Sequence, residues 1–315
     1  MINMSRKLTY LLGVMFSMIT LSANAVELGT TKGSANYQTG IALAKTLNAG
    51  GVDITPIPHR GTNIYLEKVD NGKIEFGLCG VYMLGWGYEG YGPVKKPHKN
   101  LRFVANLQHF RTAIVVRNNS DIKSYADLKA KKIPAGFFGA PAFQWMIQFN
   151  LANGGLTWDD VIPVPVSTLG KSWVALANKD VDMAMIALGG GPDKKYNTIV
   201  KGGLRALSVE SGQPEKDMLE NWGGVEVITL EPDPSLPSIR GTTRVHKFAY
   251  QLFTHKDVPN EVVRDVVLAL HKNAETFRKA SGFTKSFDET NMHNYDLVPM
   301  HEGAIEAYET LGLSK

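Results

Sequence analysis

Cysteine is almost absent: Cys79 is the only one in 315 residues. No intrachain disulfide can form, so the chain must rely on its core. Cys79 lies in an apolar, strand-like run and is read as a buried, inert thiol. No basic tract is present and the net charge is only +4, which argues against nucleic acid as a partner. Beyond residue 21 no apolar run approaches the roughly 20 residues a spanning helix needs. The phosphate-binding Gly-x-x-x-x-Gly-Lys-Ser/Thr spacing is missing, and no Gly-x-Gly-x-x-Gly follows the first strand. Neither a Gly-x-Ser-x-Gly elbow nor a His-Glu-x-x-His pair occurs, and the eight histidines are scattered. No cofactor, no metal and no catalytic activity are expected on these grounds.

The N-terminus carries the clearest positive signal. Arg6 and Lys7 precede an apolar run over residues 8–21, and Ala23-Asn24-Ala25 follows. A basic start, an apolar segment of this length and small residues before the cut make residues 1–25 a secretory signal peptide, cleaved after Ala25. Its loss lowers the formal charge to about +2, since only Arg6 and Lys7 go with it. No cysteine sits at the cut, so a lipid anchor is not expected. The predicted location is the periplasm.

Behind the signal, short apolar runs alternate with helical patterns, which predicts an α/β fold with mostly parallel sheets. The alternation restarts after residue 119 and ends in a Pro-rich segment over residues 231–237. Two domains follow: residues 26–119 with 239–315 as domain I, and residues 120–238 as domain II. The two chain crossings between them form a hinge. A helix is predicted over residues 34–48, with Ser34 as cap and Tyr37, Ile41, Ala44 and Leu47 on its apolar face. Separate strands are predicted over residues 102–107 and 112–117. One long helix is predicted over residues 260–279, with Val263, Val266, Val267, Leu270 and Ala274 inward. Tyr82, Trp86, Tyr88 and Tyr91 are read first as core packing and second as a wall for a ligand's apolar part.

Two Gly-rich strand-to-helix junctions, residues 29–34 and 136–141, draw attention. A helix start offers unpaired N–H groups and a dipole that favours negative charge. Ligands of open α/β sheets bind beyond the carboxyl ends of the strands. Thr30, Thr31 and Ser34 add hydroxyls to the first junction, and Lys32 adds charge. Arg60 stands in a third turn, His59-Arg60-Gly61-Thr62-Asn63, and Lys171 opens a helix after Thr168. Together these residues describe a two-jawed carboxylate or phosphate site.

In order along the chain, these segments resemble the TAXI family, the solute receptors of one class of tripartite ATP-independent periplasmic (TRAP) transporter. The resemblance rests on the Gly-Thr turn with Tyr37 and Gly40, on Gly61-Thr62 followed by Asn71-Gly72 and Phe76-Gly77, and on Gly87-Tyr88-Glu89-Gly90. Ser124 to Lys129 with Gly136 and Gly139, and Pro299-Met300-His301-Glu302-Gly303-Ala304 with Tyr308 and Gly312, complete it. It implies a two-domain type II periplasmic binding protein with the ligand in the interdomain cleft, and delivery of that ligand to a TRAP membrane subunit. A small organic anion, such as a dicarboxylate, 2-oxo acid or acidic amino acid, is then the expected ligand. By position it places Thr30, Thr31, Ser34 and Tyr37, then Gly61 and Thr62, then Gly139 and Ala140, and finally Thr168, Gly170 and Lys171 at the ligand. The chain departs from the family's hydroxyl-rich second-domain turn, where Gly139-Ala140-Pro141-Ala142 lacks two hydroxyls and one N–H. Lys32 or Arg60 would then hold the anion. A receptor for an ATP-driven importer, a periplasmic enzyme and a sensory module share the same fold and stand as alternatives.

Overall fold

Val26–Thr31 forms β1 at the centre of the first lobe, pairing in parallel with β2 (Ile54–His59) on one side and β3 (Phe76–Gly80) on the other. A computed structural model of the chain describes residues 25–32, 34–138, 140–294 and 297–313. The expected signal peptide up to residue 24, together with Gly33 and Gly139, lies outside the described residues. Helix α1 (Ala35–Ala49) links β1 to β2, and α2 (Thr62–Asp70) links β2 to β3. Helix α3 (Val81–Glu89) leads from β3 to β4, a 17-residue strand over Leu101–Arg117.

The second lobe contains β5 (Lys132–Gly136), α4 (Ala142–Asn153), β6 (Ile162–Val166) and α5 (Leu169–Asn178). It continues with β7 (Met183–Ala187), α6 (Gly191–Ile199), β8 (Leu204–Ala206), α7 (Gln213–Glu220) and β9 (Val225–Leu230). Strand β10 (Thr243–His255) then returns to the first lobe, where α8 (Asn260–Lys272), α9 (Ala274–Ala280) and α10 (Glu302–Thr310) follow. Pro163 and Pro165 sit in β6, where they remove donors that a neighbouring chain could otherwise pair with.

The sheet is mixed rather than mostly parallel, because β4 and β10 pair antiparallel along their length and each serves both lobes. Strand β10 pairs with β9 through residues 243–248 and with β3 through residues 250–254. Strand β4 pairs with β7 and β8 only from Thr112 onward. Register shifts in the β4–β10 pair fall at Tyr250/Gln251 and Leu252/Phe253, beside this exchange of partners. The two strands predicted over residues 102–107 and 112–117 are therefore one, running through the crossing. A hydrogen-bonded ladder on β10 carries the chain across Gln108 and His109, where polar residues suggested a break.

Helix α1 buries Ala44 and Leu47 as predicted but turns the first part of its predicted face outward. Ile41 is exposed and Tyr37 half-buried, while Asn36, Thr39, Gly40, Leu43 and Leu47 face inward. The cause is close approach to β1: a Cβ at Gly40 would lie 2.6 Å from Thr30 Cγ2. Small and polar residues thus occupy the sheet side of the first turns, and the apolar core begins a turn later. The predicted long helix over residues 260–279 breaks at Asn273 into α8 and α9, though Val263, Val266, Val267, Leu270 and Ala274 are buried as expected. Leu43, Leu47, Val263, Val267 and Tyr308 form one core on the outer face of the first lobe. Cys79 is fully buried, and burial pushes its thiol well up, which keeps it protonated and unreactive.

A second core does not respect the lobes. It joins Tyr82 and Trp86 of the first lobe to Met146, Phe149, Met218 and Trp222 of the second. Trp86 lies 5.8 Å from Phe149, Tyr82 6.0 Å from Trp222, and Tyr91 5.7 Å from Trp145. Trp86 Nε1 donates to Asn221 O at 3.3 Å, and Tyr91 OH meets Asn221 Oδ1 at 3.0 Å. The aromatic cluster over residues 82–91 is thus packing, and what it packs against is the other lobe. Among the described residues no helix is long and apolar enough to cross a membrane.

Candidate functional site

The carboxyl ends of β1 and β2 lie side by side, with Thr31 opposite His59. Lys32 N donates to His59 O at 2.8 Å, which extends the pairing one residue further. Lys32 and Arg60 are therefore neighbours on adjacent chains, which in a sheet lie about 4.8 Å apart. Both are exposed, and neither has an ion-pair partner among the described residues. The adjacent His59 adds no charge near neutral pH: burial, then Lys68, lowers its pKa below the ordinary 6.5.

Beneath this pair lies a polar network centred on Asn36. Its Oδ1 accepts from Thr31 N at 2.7 Å, and since that N–H can only donate, the amide orientation is fixed. Its Nδ2 then faces Leu78 O at 2.7 Å, Tyr250 OH at 2.9 Å and Tyr65 OH at 3.1 Å. Tyr65 OH donates to Leu78 O and stands 3.2 Å from Thr62 Oγ1, which in turn lies 3.4 Å from Thr31 Oγ1. Burial pushes the Tyr65 and Tyr250 phenols up, so both stay protonated donors. The network ties together α1, α2, β3 and the crossing strand β10. Asn36→Ala is expected to cost about 1–3 kcal/mol, because Thr31 N and Tyr250 OH, on β1 and β10, lose their partner at once. A urea midpoint for Asn36→Ala indistinguishable from wild type would refute that role.

Across the cleft, Thr62 and Asn63 at the start of α2 face Ala140, Pro141 and Ala142 at the start of α4, with Met83 and Pro93 completing a crevice. Its volume is about 20 Å³, room for little more than one water. The N–H groups of Thr62 and Asn63 open α2 and have no hydrogen-bond partner among the described residues. On the opposite side the amides are largely committed: Gly136 N donates to Gln144 Oε1 at 2.8 Å and Ala140 N to Phe137 O at 2.8 Å.

The expected site residues divide accordingly. Thr31, Thr62, Asn63 and Ala140 meet at the crevice or its network, Gly61 is the buried N-cap of α2, and Lys32 and Arg60 flank it. Thr30 does not belong: it is fully buried, its hydroxyl donates to Ile57 O at 3.1 Å, and strand alternation turns it away from the junction. Ser34 holds the N-cap position of α1 without capping it, because its hydroxyl donates back to Thr31 O at 2.6 Å. Tyr37 is half-buried and makes no side-chain hydrogen bond among the described residues. Thr168 caps α5 by accepting from Lys171 N, so that amide is occupied; Thr168 and Lys171 are exposed and Gly170 half-buried, apart from the crevice lining. Gly139 lies outside the described residues.

Sequence reasoning missed two features. Asn36, Tyr65 and Tyr250 come from distant segments, and no local signal links them. The other is a further strand-to-helix junction, Gly189-Gly190-Gly191 between β7 and α6, whose glycine run after an apolar strand is the signal that could have found it. There Gly189 N donates to buried Asp193, which also accepts from Ser238, and Gly190 approaches Phe283 of the first lobe. Among the described residues no group of three metal-binding side chains occurs.

A family model described as NMT1-like matches residues 28–312. The chain belongs to the NMT1-like family. Solved structures share its fold at low identity. MatC from Rhodopseudomonas palustris, solved with bound malate, is 14% identical with a TM-score of 0.57, over 82% of this chain and 88% of that one. The periplasmic binding protein BugD is 14% identical with a TM-score of 0.57, over 92% and 98%. A TctC solute-binding protein from Polaromonas is 16% identical with a TM-score of 0.51, over 83% and 88%. This NMT1-like chain therefore has the α/β architecture of two-domain periplasmic binding proteins, with the cleft between the lobes.

Proposed function

We propose that this chain is a periplasmic receptor that captures a small organic anion between its lobes and delivers it to the membrane subunit of a TRAP transporter. The carrying observation is the crevice where free N–H groups at the start of α2 face the start of α4, flanked by two cations that lack ion pairs. Backbone donors, a helix dipole and point charges together favour a carboxylate. The malate held by MatC supports an organic acid as the ligand class. The ordered TAXI-like motifs support the TRAP partner, and the Ala23-Asn24-Ala25 cut supports export.

A site for such an acid takes hundreds of Å³, whereas the crevice offers about 20 Å³. Entry of such a ligand therefore requires the lobes to part further. We infer that β4 and β10 bend where their sheet partners change, near the register shifts at residues 250–253. We take the two moving lobes to be residues 26–119 with 239–315, and residues 120–238. Binding needs no chemistry of the ligand, in keeping with a carrier.

Thermal shift with malate, succinate, 2-oxoglutarate, glutamate and benzoate is the direct test. At a ligand concentration about 1,000-fold above Kd, stabilisation reaches about 4 kcal/mol, or a rise of about 8 °C for a chain of this size. No shift from any carboxylate, sulfonate or phosphate would overturn the receptor reading.

A further inference from the structure

Helices α1 to α6 each start beyond the carboxyl end of a strand, and the two lobes finish these starts differently. In the first lobe α1, α2 and α3 have Ser34, Gly61 and Gly80 at their N-caps, and no side chain caps any of them. In the second lobe Thr168 caps α5, its hydroxyl accepting from Lys171 N at 3.3 Å. Helix α6 carries Asp193 in its first turn. This side chain is fully buried and accepts from Gly189 N at 2.8 Å and from Ser238 Oγ. It occupies the place that a bound anion would take at a helix start.

Helix α4 reaches the same end through its backbone. Phe137, fully buried at φ 44°, fixes the turn after β5, while Phe138 beside it is 79% exposed. Ala140 N donates back to Phe137 O at 2.8 Å, and Phe143 N and Gln144 N donate to Ala140 O and Pro141 O, each at 3.1 Å. Pro141 has no N–H to offer. Among the described residues Ala142 N alone of residues 140–144 lacks an acceptor outside the regular helix.

The crevice brings the two finishes face to face. Its wall from α2 is Thr62 and Asn63, with their free N–H groups; the side-chain amide of Asn63 also makes no hydrogen bond among the described residues. Its wall from the second lobe is Ala140, Pro141 and Ala142, which have no polar side-chain atom. Lys171, the cation at the α5 start, is exposed and lies outside this lining.

We propose that the ligand is a short-chain monocarboxylate, its one carboxylate at the start of α2 and its alkyl end against Ala140, Pro141 and Ala142. This rests on the receptor reading above and narrows its ligand class from organic anions in general. A second carboxylate would meet that apolar wall, with water displaced and a single amide to receive it. A charge buried without partners is costly, whereas a methyl group buried there is favourable. The wall therefore selects twice, by accepting the monoacid and by rejecting its dicarboxylate counterpart.

Calorimetric titration of the mature protein with two matched pairs tests this: butyrate against succinate, and 2-oxopentanoate against 2-oxoglutarate. Within each pair a terminal methyl is exchanged for a carboxylate at equal chain length. The monoacid is expected to bind about a hundredfold or more tighter in both pairs. Ala142→Ser adds a hydroxyl donor to the apolar wall. It is expected to cut that ratio about tenfold while the Kd of the monoacid stays within about threefold. Ala142 is half-buried, and equal melting temperatures of the unliganded proteins verify that the fold is kept. A dicarboxylate that binds as tightly as its monoacid, or an unchanged ratio in Ala142→Ser, overturns the proposal and leaves the receptor reading standing. Silence from all four acids also overturns the proposal, and the receptor reading falls with it only if the wider panel of carboxylates, sulfonates and phosphates is silent too.

Discussion

Trp222→Ala is expected to destabilise the protein by about 3–5 kcal/mol, the cost of emptying a large buried aromatic site. Trp222 is fully buried between α7 and β9. Its ring lies 4.7 Å from His246, 5.7 Å from Phe149 and 6.0 Å from Tyr82. Tyr82 belongs to the first lobe and the other two to the second lobe or the crossing strand, so truncation weakens the core that spans the cleft. Trp222 Nε1 is buried without a hydrogen-bond partner among the described residues. Trp222→Phe therefore removes an unsatisfied donor along with some volume and is expected to lose much less. Urea unfolding of both variants measures the difference. A loss below about 1 kcal/mol for Trp222→Ala would show that the site collapses and that the seam is not a core.

Mild acid is expected to weaken the fold through His246, whose ring is tilted against Trp222. His246 is buried, its Nε2 3.4 Å from Met218 Sδ. Burial lowers its pKa from 6.5 to about 4, against a smaller upward pull from the Thr112 backbone. Between these values the unfolded chain takes up a proton that the folded chain refuses. Stability is thus complete above about pH 6.5 and falls as pH drops toward 4, by about 3 kcal/mol in total. About 2 kcal/mol of this is gone by pH 5. Burial also lowers His59, His109 and His301, so the wild-type slope is a sum. His246→Gln isolates one contribution: its stability is expected to fall about 2 kcal/mol less between pH 7 and pH 5. Parallel pH profiles for the two proteins would sink the assignment. Carboxylates such as Asp127, held low by the Lys123 and Ser124 N–H groups, lose their contribution only in stronger acid, as pH falls through their depressed pKa values. Because Trp222 and His246 touch, the effects of their variants will not add.

Much of the fold was legible because its elements are locally consistent. The residues flanking Gly61 and Gly136 read as strand-to-helix turns, and both turns lead into helices, α2 and α4. The misplaced face of α1 shows where that reading stops. Hydrophobic periodicity favoured Ile41, but the helix packs so close to Thr30 that Gly40 and Asn36 must face the sheet. The site divides in the same way. Thr62 and Asn63 are visible as a helix start, whereas Thr30 was misassigned because alternation along β1 sends neighbouring threonines to opposite sides. Tyr65, Tyr250 and Asn36 are separated by up to 214 positions, and only the crossing strand brings them together.

By itself the sequence determined the α/β class, the recurrence of Gly-rich turns before helices, and the impossibility of an intrachain disulfide with Cys79 alone. The first two depend on backbone propensity and on neighbours three or four residues away. Tertiary structure alone decided that two strands serve both lobes, that the aromatic segment after Cys79 seals one lobe against the other, and that Phe138 points outward while Phe137 is buried. These depend on which distant surfaces meet, and contact at long range leaves no periodic trace in the chain.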